Sequence, residues 1–241
     1  MPKASAPAAA AAPRPSTASP PRQRRKEARP QELLEAALAL FVEKGFAATR
    51  SEAVAARAGV SKGTLYLYYP SKEELFKAVV RESLASHIQV GKEMVAQARG
   101  STAELMRELL REWWQRIGQG PAGGICKIMT AEARNFPELA CFYMDEVIVP
   151  ALEMLGAMVQ RGVASGEFRA VPVAETVQVL IAPVMHLVLF EHSFGACRAM
   201  GPEPDPEAVL AVQLDLMLRG LLARPDPGAP AGAASSPNVA S

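Results

Sequence analysis

A short segment around residue 65 carries side chains that could contact a nucleic acid. It places a cation, a hydroxyl and three phenols within barely two helical turns, from Lys62, Thr64, Tyr66, Tyr68 and Tyr69. Groups of these types donate hydrogen bonds to phosphates and base edges, so the helix suits a polar groove better than a protein core. Pro70, which lacks a backbone N–H, ends this helix.

Two residues ahead of the polar helix predict how it is positioned. Gly59 suits the C-cap of a preceding helix, because glycine adopts a positive φ at little cost. Ser61 suits the N-cap of the polar helix, since its hydroxyl can accept from a free backbone N–H. Two helices joined by a short glycine-containing turn form a helix-turn-helix, whose second helix can enter the major groove of DNA.

Helices on both sides complete the predicted N-terminal unit. Pro30 opens a helix with apolar residues at core spacing, and Gly45 ends it. Residues 49–52 have the form of a capping box, which would start a short helix that leads into the turn. Residues 71–74 form a second capping box, and we expect the helix that follows to run toward about residue 99.

Three motifs occur in order within residues 27–87: G-F-x-A-T, A-x-R-A-G-V-S-K-G-T-L-Y-x-Y-Y and P-S-K-E-E-L-F. Together they closely resemble the N-terminal DNA-binding domain of TetR-type transcriptional regulators. One departure is visible, since the family often has an apolar residue at the position of Ser51 and an acid at Ala53. The resemblance implies DNA contacts from Thr49, Ser51, Ser61, Lys62, Gly63, Thr64, Tyr66, Leu67, Tyr68 and Lys72. For Tyr66 and Tyr68, partial burial against the first helix remains the alternative.

Charge is distributed unevenly along the chain. The overall net charge is +1, but residues 22–85 carry a net charge of +4 and residues 86–241 a net charge of −5. A basic head on an acidic body fits binding of a nucleic acid by the head alone. The basic run 22–29 could reach phosphates or the minor groove, or it could be a solvated charge run that aids solubility.

The C-terminal half is predicted to be helical nearly throughout. The segment 173–197 is apolar on nearly every face, and a last helix over 207–223 is rich in leucine and valine. One domain has difficulty covering both helices, so we expect them to pair across a two-fold axis into a four-helix bundle. Burial within a monomer is the alternative. The TetR-type family is similar in this respect, because it dimerises through its last two helices.

The predicted fold is all-α, with about nine helices in two domains. A TetR-type helix-turn-helix domain spans 27–87, and a C-terminal ligand-binding and dimerisation domain spans 88–223. Within the second domain, residues 132–139 and 166–169 resemble the AefR-like branch of the family. The tails 1–26 and 224–241 are rich in Ala, Pro and Ser and are expected to be disordered, because they cannot bury enough surface to offset the entropy of ordering.

Two prolines inside helical patterns, Pro150 and Pro183, predict kinks. A kink can serve packing alone, or it can open a cavity between helices. Methionine and aromatic side chains suit an adaptable apolar cavity for a hydrophobic small molecule. The alternative for each of these residues is an ordinary position in the hydrophobic core. The candidate lining residues are Trp113, Phe142, Met144, Met158, Met185, His186 and Phe190.

Several classes of site are not expected. Cys126, Cys141 and Cys197 lack the spacing of a disulfide framework and are interpreted as buried hydrophobes in a reducing compartment, with a redox switch as the alternative. The histidines show no metal-ligand spacing, and no cofactor motif or catalytic set is present, so an enzyme is not predicted. The apolar run 177–190 is shorter than the roughly 20 residues of a spanning helix. We therefore expect a cytoplasmic protein without a membrane segment.

The sequence thus predicts a homodimeric transcriptional regulator that binds operator DNA. We expect a repressor that a hydrophobic small molecule releases from its operator. The alternative is a DNA-organising or protein-interaction module that uses the same head without sensing a ligand. A sealed C-terminal domain would favour that alternative, and an open apolar cavity would oppose it.

Overall fold

The computed structural model of this protein is helical. It describes residues 24–195 and 205–223. Over these residues we number nine helices: α1 Arg24–Lys44, α2 Ser51–Arg57, α3 Lys62–Tyr68, α4 72–97, α5 102–118, α6 Gly123–Glu132, α7 Pro137–Ala164, α8 Val173–Phe194 and α9 Pro206–Leu221. An isolated bridge joins Phe168 to Leu222. The predicted all-α class is confirmed. The predictions for residues 1–23, residues 224–241 and Cys197 lie outside the described residues.

The first three helices and the start of α4 form an N-terminal head around an aromatic core. Phe41, Phe46 and Phe76 are buried, and their ring centroids lie 5.1 to 5.7 Å apart. Leu65 of α3 is fully buried and belongs to the same core. Because Leu65 anchors α3 to the head, the other side of this two-turn helix is left at the surface.

The predicted turn and caps around α3 are confirmed. Gly59 has a φ of +67°, in the left-handed region that favours glycine. Ser61 Oγ accepts from the Thr64 N–H at 3.1 Å and caps α3. Ser71 Oγ accepts from the Glu74 N–H at 3.1 Å and caps α4. The helix-turn-helix is therefore held by the local hydrogen bonds that the sequence predicts.

The first predicted capping box is wrong. The N-cap of α2 is Arg50, and no side chain caps this helix. Thr49 Oγ1 instead donates to the carbonyl oxygens of Leu40 and Gly45, at 3.1 and 2.7 Å. The hydroxyl therefore satisfies carbonyls at the end of α1 rather than the N–H groups of α2.

Prolines lie inside three helices with different local consequences. α1 begins at Arg24, six residues before the predicted start, so Pro30 is inside it. Pro183 lies inside α8. Pro150 follows a π turn in α7, where the Val149 N–H donates five residues back, to the carbonyl of Met144. This shift of register fits a residue that has no N–H to donate.

Three of the helices contain a π turn. They are Arg81–Ala85 in α4, Trp114–Gly118 in α5 and Met144–Ile148 in α7. Each π turn adds one residue to the backbone hydrogen-bond pattern of its helix. The side chains after the turn therefore point in a different direction from those before it. The predicted long helices are thus present, and α4, α5 and α7 are each interrupted by a π turn.

A polar contact fixes the N-terminus of α5 to the loop after α7. The Glu167 carboxylate accepts from Ser101 Oγ and from the N–H groups of Thr102 and Ala103. Its pKa is lowered: burial alone would raise it, but these hydrogen bonds to the ionised form outweigh that effect. Arg161 of α7 donates to Thr102 Oγ1 and to the carbonyl oxygen of Gly100. The C-terminal domain is therefore closed by hydrogen bonds as well as by its apolar core.

Helices α8 and α9 leave large apolar side chains exposed in the single chain. Val179 and Phe194 of α8 are 58% and 59% exposed, and Val212 and Leu216 of α9 are 58% and 66% exposed. The sequence predicts burial of α8 on all sides, and one chain alone does not provide it. An unpartnered apolar surface of this kind marks an interaction site.

Two helices pass a test for membrane spans that uses length and composition alone. α7 has 28 residues and α8 has 22, and an 18-residue window within each has a mean hydropathy of 1.3 and 1.8, respectively. α8 extends beyond both ends of the predicted apolar run 177–190, so the helix is longer than the run from which its length was predicted. The core helices of soluble proteins pass the same test, so the result is weak support for a membrane.

Candidate DNA-binding surface and ligand cavity

The outer surface of α3 brings most of the predicted contact residues together. Ser61, Lys62 and Gly63 are exposed at its N-terminal end, and Tyr66 and Leu67 are 38% and 81% exposed. Thr64 and Tyr68 are half-buried. Since Leu65 holds the opposite side in the core, α3 presents a polar N-terminus and an aromatic ring to solvent.

Lys62 is paired with an acid on the neighbouring helix. Its Nζ lies 2.5 Å from Glu52 Oε1 of α2, and 5.7 Å from the centre of the Tyr66 ring. The hydrogen bond from Lys62 lowers the pKa of Glu52, and the same hydrogen bond raises the pKa of Lys62. Both groups are therefore charged at neutral pH. Sequence reasoning missed this partner, because Glu52 is ten residues away and on another helix.

Gly63 leaves space that another residue could fill in the free protein. A Cβ built at this position would lie 3.8 Å from its nearest neighbour, Ser61 Oγ, which is ordinary van der Waals contact. Packing within the head therefore does not require glycine here. Close approach of another molecule to the helix backbone would require it.

Three predicted contact residues have structural roles inside the head. Thr49 is 2% exposed and Ser51 is 6% exposed, so their side chains are not presented at the surface. Lys72 Nζ donates to the carbonyl oxygens of Phe46 and Ala47, at 2.9 and 3.2 Å, and lies 4.4 Å from the centre of the Phe46 ring. These contacts hold the loop after α1 against the start of α4.

An additional cation lies next to these residues. Arg50, the N-cap of α2, is exposed. Arg50 is not among the predicted contacts, because the resemblance points to Thr49 and Ser51 on either side of it. Its exposure at the N-terminal end of a helix is the signal that only the structure provides.

A cavity of about 540 Å³ lies inside the C-terminal domain. Its wall comes from α4, α5, α6, α7, α8 and α9, and it is mainly apolar. The volume falls within the range of roughly 300–1,000 Å³ that is usual for small-molecule sites. The domain is therefore not sealed, which opposes the alternative of a module without a ligand site.

Three of the seven predicted lining residues belong to the wall: Trp113, Met158 and Met185. The prediction is wrong for Phe142, Met144, His186 and Phe190, which do not line the cavity. Helical phase explains three of these cases. Met144 is 44% exposed and follows the lining residue Tyr143, from which it is rotated by about 100°. His186 follows Met185 in the same way, and Phe190 lies one turn beyond His186 on the same side of α8.

Phe142 contacts cations of α4 instead of the cavity. The Arg81 guanidinium lies 4.8 Å and Lys77 Nζ lies 5.8 Å from the centre of its ring. Arg81 Nη2 also donates to Glu146 Oε1 at 2.9 Å. This ion pair joins the π turn of α4 to the π turn of α7, close to the cavity wall at Leu84 and Val147.

One polar pair lies in the buried part of the cavity wall. Tyr143 Oη donates to Cys126 Sγ across 3.4 Å. Burial raises the pKa of Cys126 and raises that of Tyr143 well above its ordinary value, so both keep their protons. Protonated groups of this kind provide neither a base nor a thiolate nucleophile. Among the described residues, no group of three His, Cys, Asp or Glu side chains is arranged to hold a metal ion.

Two family models match this chain. Residues 33–79 match the bacterial regulatory proteins of the tetR family, and residues 96–195 match the tetracyclin repressor-like C-terminal domain. The first match includes α2 and α3 with their turn, and the second contains most of the cavity wall. Neither match tests the AefR-like branch, which stays a prediction.

Two relatives are described as helix-turn-helix transcriptional regulators. The uncharacterized transcriptional regulator YfiR of Bacillus subtilis is 27% identical over 153 residues, which cover 63% of this chain and 74% of YfiR. The transcriptional regulator RutR of Escherichia coli K12 is 48% identical over 63 residues, which cover 26% of this chain and 30% of RutR.

Among solved structures, the transcriptional regulator FadR from Bacillus subtilis, in complex with stearoyl-CoA, superimposes with a TM-score of 0.64. The identity is 20%, and the match covers 79% of this chain and 98% of that chain. At this identity, the likeness is one of fold.

Proposed function

This chain carries both the N-terminal and the C-terminal domain of the TetR family of DNA-binding regulators, and we propose that it is a ligand-responsive repressor in the cytoplasm. In this proposal a homodimer binds operator DNA through two copies of α3, and a hydrophobic small molecule in the C-terminal cavity releases it. The observation that carries the proposal is the pairing of an exposed, Ser61-capped α3 with a large apolar cavity in one chain.

The DNA contact is supported by what α3 presents. The exposed N–H groups at its N-terminus favour an anion, and Lys62 adds a positive charge at the same end. Gly63 would allow the DNA backbone to come close, and Tyr66 and Leu67 are placed to reach sugars or base edges. Lys62 would exchange Glu52 for a phosphate, and Arg50 would provide a further cation beside it.

The homodimer is supported by the exposed apolar residues of α8 and α9. Val179, Val212 and Leu216 are each more than half exposed in the single chain, and a second copy would cover them in a four-helix bundle. A two-fold arrangement would also set the distance between the two α3 helices. Half-sites one helical turn apart require a spacing of about 34–36 Å.

The ligand response is supported by the course of α4. This helix begins at Lys72 in the head, and its second half lines the cavity from Leu84 to Met94. A ligand that favours a different position of α4 would change the distance between the two heads. The mechanism requires the ligand to bind the DNA-free geometry more tightly, because equal affinity for both geometries shifts nothing.

Selection of DNA by the full-length chain tests the proposal. Binding to a random pool of duplexes, followed by sequencing, should enrich a two-fold symmetric site. Lys62→Ala should weaken binding to that site and lower the slope of log affinity against log salt by about 1, as the loss of one phosphate contact does. Recovery of no preferred sequence would overturn the proposal.

A further inference from the structure

Two buried side chains with a polar hydrogen interrupt the apolar wall of the cavity. Cys126 and Tyr143 are the buried lining residues that are described whose side chains carry an S–H or O–H group. The thiol sulfur that accepts from Tyr143 Oη is a weak acceptor. A hydroxyl or carbonyl oxygen is a better one, so the phenol can turn to an incoming oxygen at little cost.

Charged side chains reach the cavity only at its exposed edge, as far as the described residues show. Glu112 and Arg116 pair with each other at 2.6 Å, and their side chains are 42% and 61% exposed. His87 is half-buried, and its Nδ1 lies 3.3 Å from Ser86 Oγ. No charged residue belongs to the buried part of the wall that is described, so an ion placed there would lack a partner.

The interior therefore discriminates between neutral and charged molecules. Moving an ionised group out of water without a counter-ion is strongly unfavourable, whereas a neutral oxygen can keep one hydrogen bond. Because burial keeps Cys126 and Tyr143 protonated, the polar pair adds no charge that could compensate an ion.

We infer that the cavity binds an apolar molecule that carries one uncharged oxygen, a hydroxyl or a carbonyl, hydrogen-bonded to Tyr143 Oη. The apolar body of this molecule would contact Leu109, Met158 and Val184, which are buried in the wall. This inference rests on the proposed ligand-sensing function and names the chemical class of its ligand.

Binding of matched probes to the full-length chain tests the inference. The probes are 1-octanol, octanoate and octylammonium, measured by titration calorimetry at pH 7 in the absence of DNA. We expect 1-octanol to bind at least tenfold more tightly than either ion. Octanoate or octylammonium binding as tightly as 1-octanol would overturn the inference.

Tyr143→Phe separates the hydrogen bond from the general preference for apolar molecules. Loss of one neutral hydrogen bond should lower the affinity for 1-octanol by about fivefold. Propylbenzene, which has no oxygen, should bind the variant and the parent chain equally, which shows that the cavity is intact. Tyr69→Phe removes the same hydroxyl from the head and should leave both affinities unchanged. Equal weakening of 1-octanol and propylbenzene by Tyr143→Phe would assign Tyr143 a packing role only and overturn the inference.

These binding measurements can be told apart from a test of the proposed regulatory function. If 1-octanol binds through Tyr143 but leaves operator affinity unchanged, the cavity site stands and ligand-dependent release fails. If octanoate or octylammonium binds in this cavity and releases the protein from the operator, the proposed ligand response is supported and the proposed site for a neutral oxygen is contradicted.

Discussion

The charge at the exposed end of α3 is already partnered before any DNA is bound. Lys62 Nζ and Glu52 Oε1 form a close ion pair in the free head, and both side chains are 55% exposed. A phosphate that recruits Lys62 must therefore displace a carboxylate, and that carboxylate stays nearby as a like charge. In the proposed complex the pair would reduce the general attraction of α3 to DNA, so discrimination between DNA sequences would depend more on contacts from Tyr66 and Leu67.

Glu52→Gln should raise affinity for DNA. The change removes a negative charge next to the phosphates and frees Lys62, so we expect binding to tighten by about fivefold at low salt, with a steeper salt dependence. Fluorescence anisotropy with the selected duplex, over a series of salt concentrations, measures both. Glu153→Gln removes the carboxylate of another exposed ion pair, with Lys92 in the C-terminal domain, and serves as the control. Unchanged or weaker binding by Glu52→Gln would contradict the competition between Glu52 and DNA.

Gly63→Ala should weaken DNA binding without harming the head. The free protein has room for the added methyl group, and alanine favours a helix by up to about 1 kcal/mol over glycine, so the melting temperature should stay the same or rise. We expect a loss of operator affinity of at least tenfold, because the methyl group would occupy space that the DNA needs. Gly156→Ala, in α7, adds a methyl group with an ordinary 3.7 Å contact and should not change operator affinity. Full affinity in Gly63→Ala would remove close backbone approach from the proposed interface.

At the scale of elements, α4 belongs to both domains. Its N-terminus holds the head, where Lys72 Nζ donates to two carbonyl oxygens of the loop after α1. Its π turn is joined to the π turn of α7 by Arg81 and Glu146, and its second half forms part of the cavity wall. A π turn is less regular than the α-helix around it, and such turns often mark functional positions. We therefore expect the contact between Arg81 and Glu146 to carry part of the ligand response.

Glu146→Gln should reduce the response to ligand more than it reduces stability. The pair is partly exposed, so its loss should change the free energy of unfolding by less than about 1 kcal/mol. Operator affinity without ligand should stay close to that of the parent chain. The ratio of operator affinities without and with 1-octanol should fall by about fivefold, since coupling between sites is a free energy that this contact would transmit.

A second ion pair between the same two helices provides the control. Lys92 of α4 and Glu153 of α7 lie 3.0 Å apart, outside the π turns. Glu153→Gln should therefore keep the full ligand response. An equal loss in both variants would indicate general loosening of α4 against α7 and would contradict a specific role for Glu146.

For the whole molecule, the single chain leaves part of the apolar surface of its last two helices uncovered. α8 and α9 together expose Val179, Phe194, Val212 and Leu216, which a monomer in water would not stabilise. The head has the opposite property, because its aromatic core is closed within one chain. Dimerisation would thus complete the C-terminal domain and would position two heads that are each already folded.

Leu216→Asp should separate the proposed dimer. Leu216 is 66% exposed in the single chain, so the substitution costs little there, but it would bury an unpaired charge between two copies. Sedimentation should show a monomer, and operator affinity should fall by more than about 100-fold because the two half-sites would be bound independently. Leu67→Asp, at the other strongly exposed leucine, should leave the dimer intact. A monomeric parent chain, or a dimeric Leu216→Asp, would contradict the interface.

Local features of the head follow from the sequence alone. Gly59, Ser61 and Ser71 act through their own backbone neighbours, so their types and spacing are enough to predict the turn and two of the caps. Thr49 is the exception, because its hydroxyl bonds to the end of α1, a partner that depends on how the helices meet. The all-α class and the regions of the long helices were likewise readable from periodicity and capping residues.

Tertiary structure decided which side chains share a site. The cavity wall depends on the rotation of each helix about its own axis, which spacing along the chain does not fix, and four of the seven predicted lining residues lie elsewhere. The partners Lys62 and Glu52, Arg81 and Glu146, and Cys126 and Tyr143 are brought together by helix packing rather than by spacing. Short-range hydrogen bonds depend on neighbouring residues and are therefore readable from the chain, whereas contacts between helices depend on how the packed core orients them.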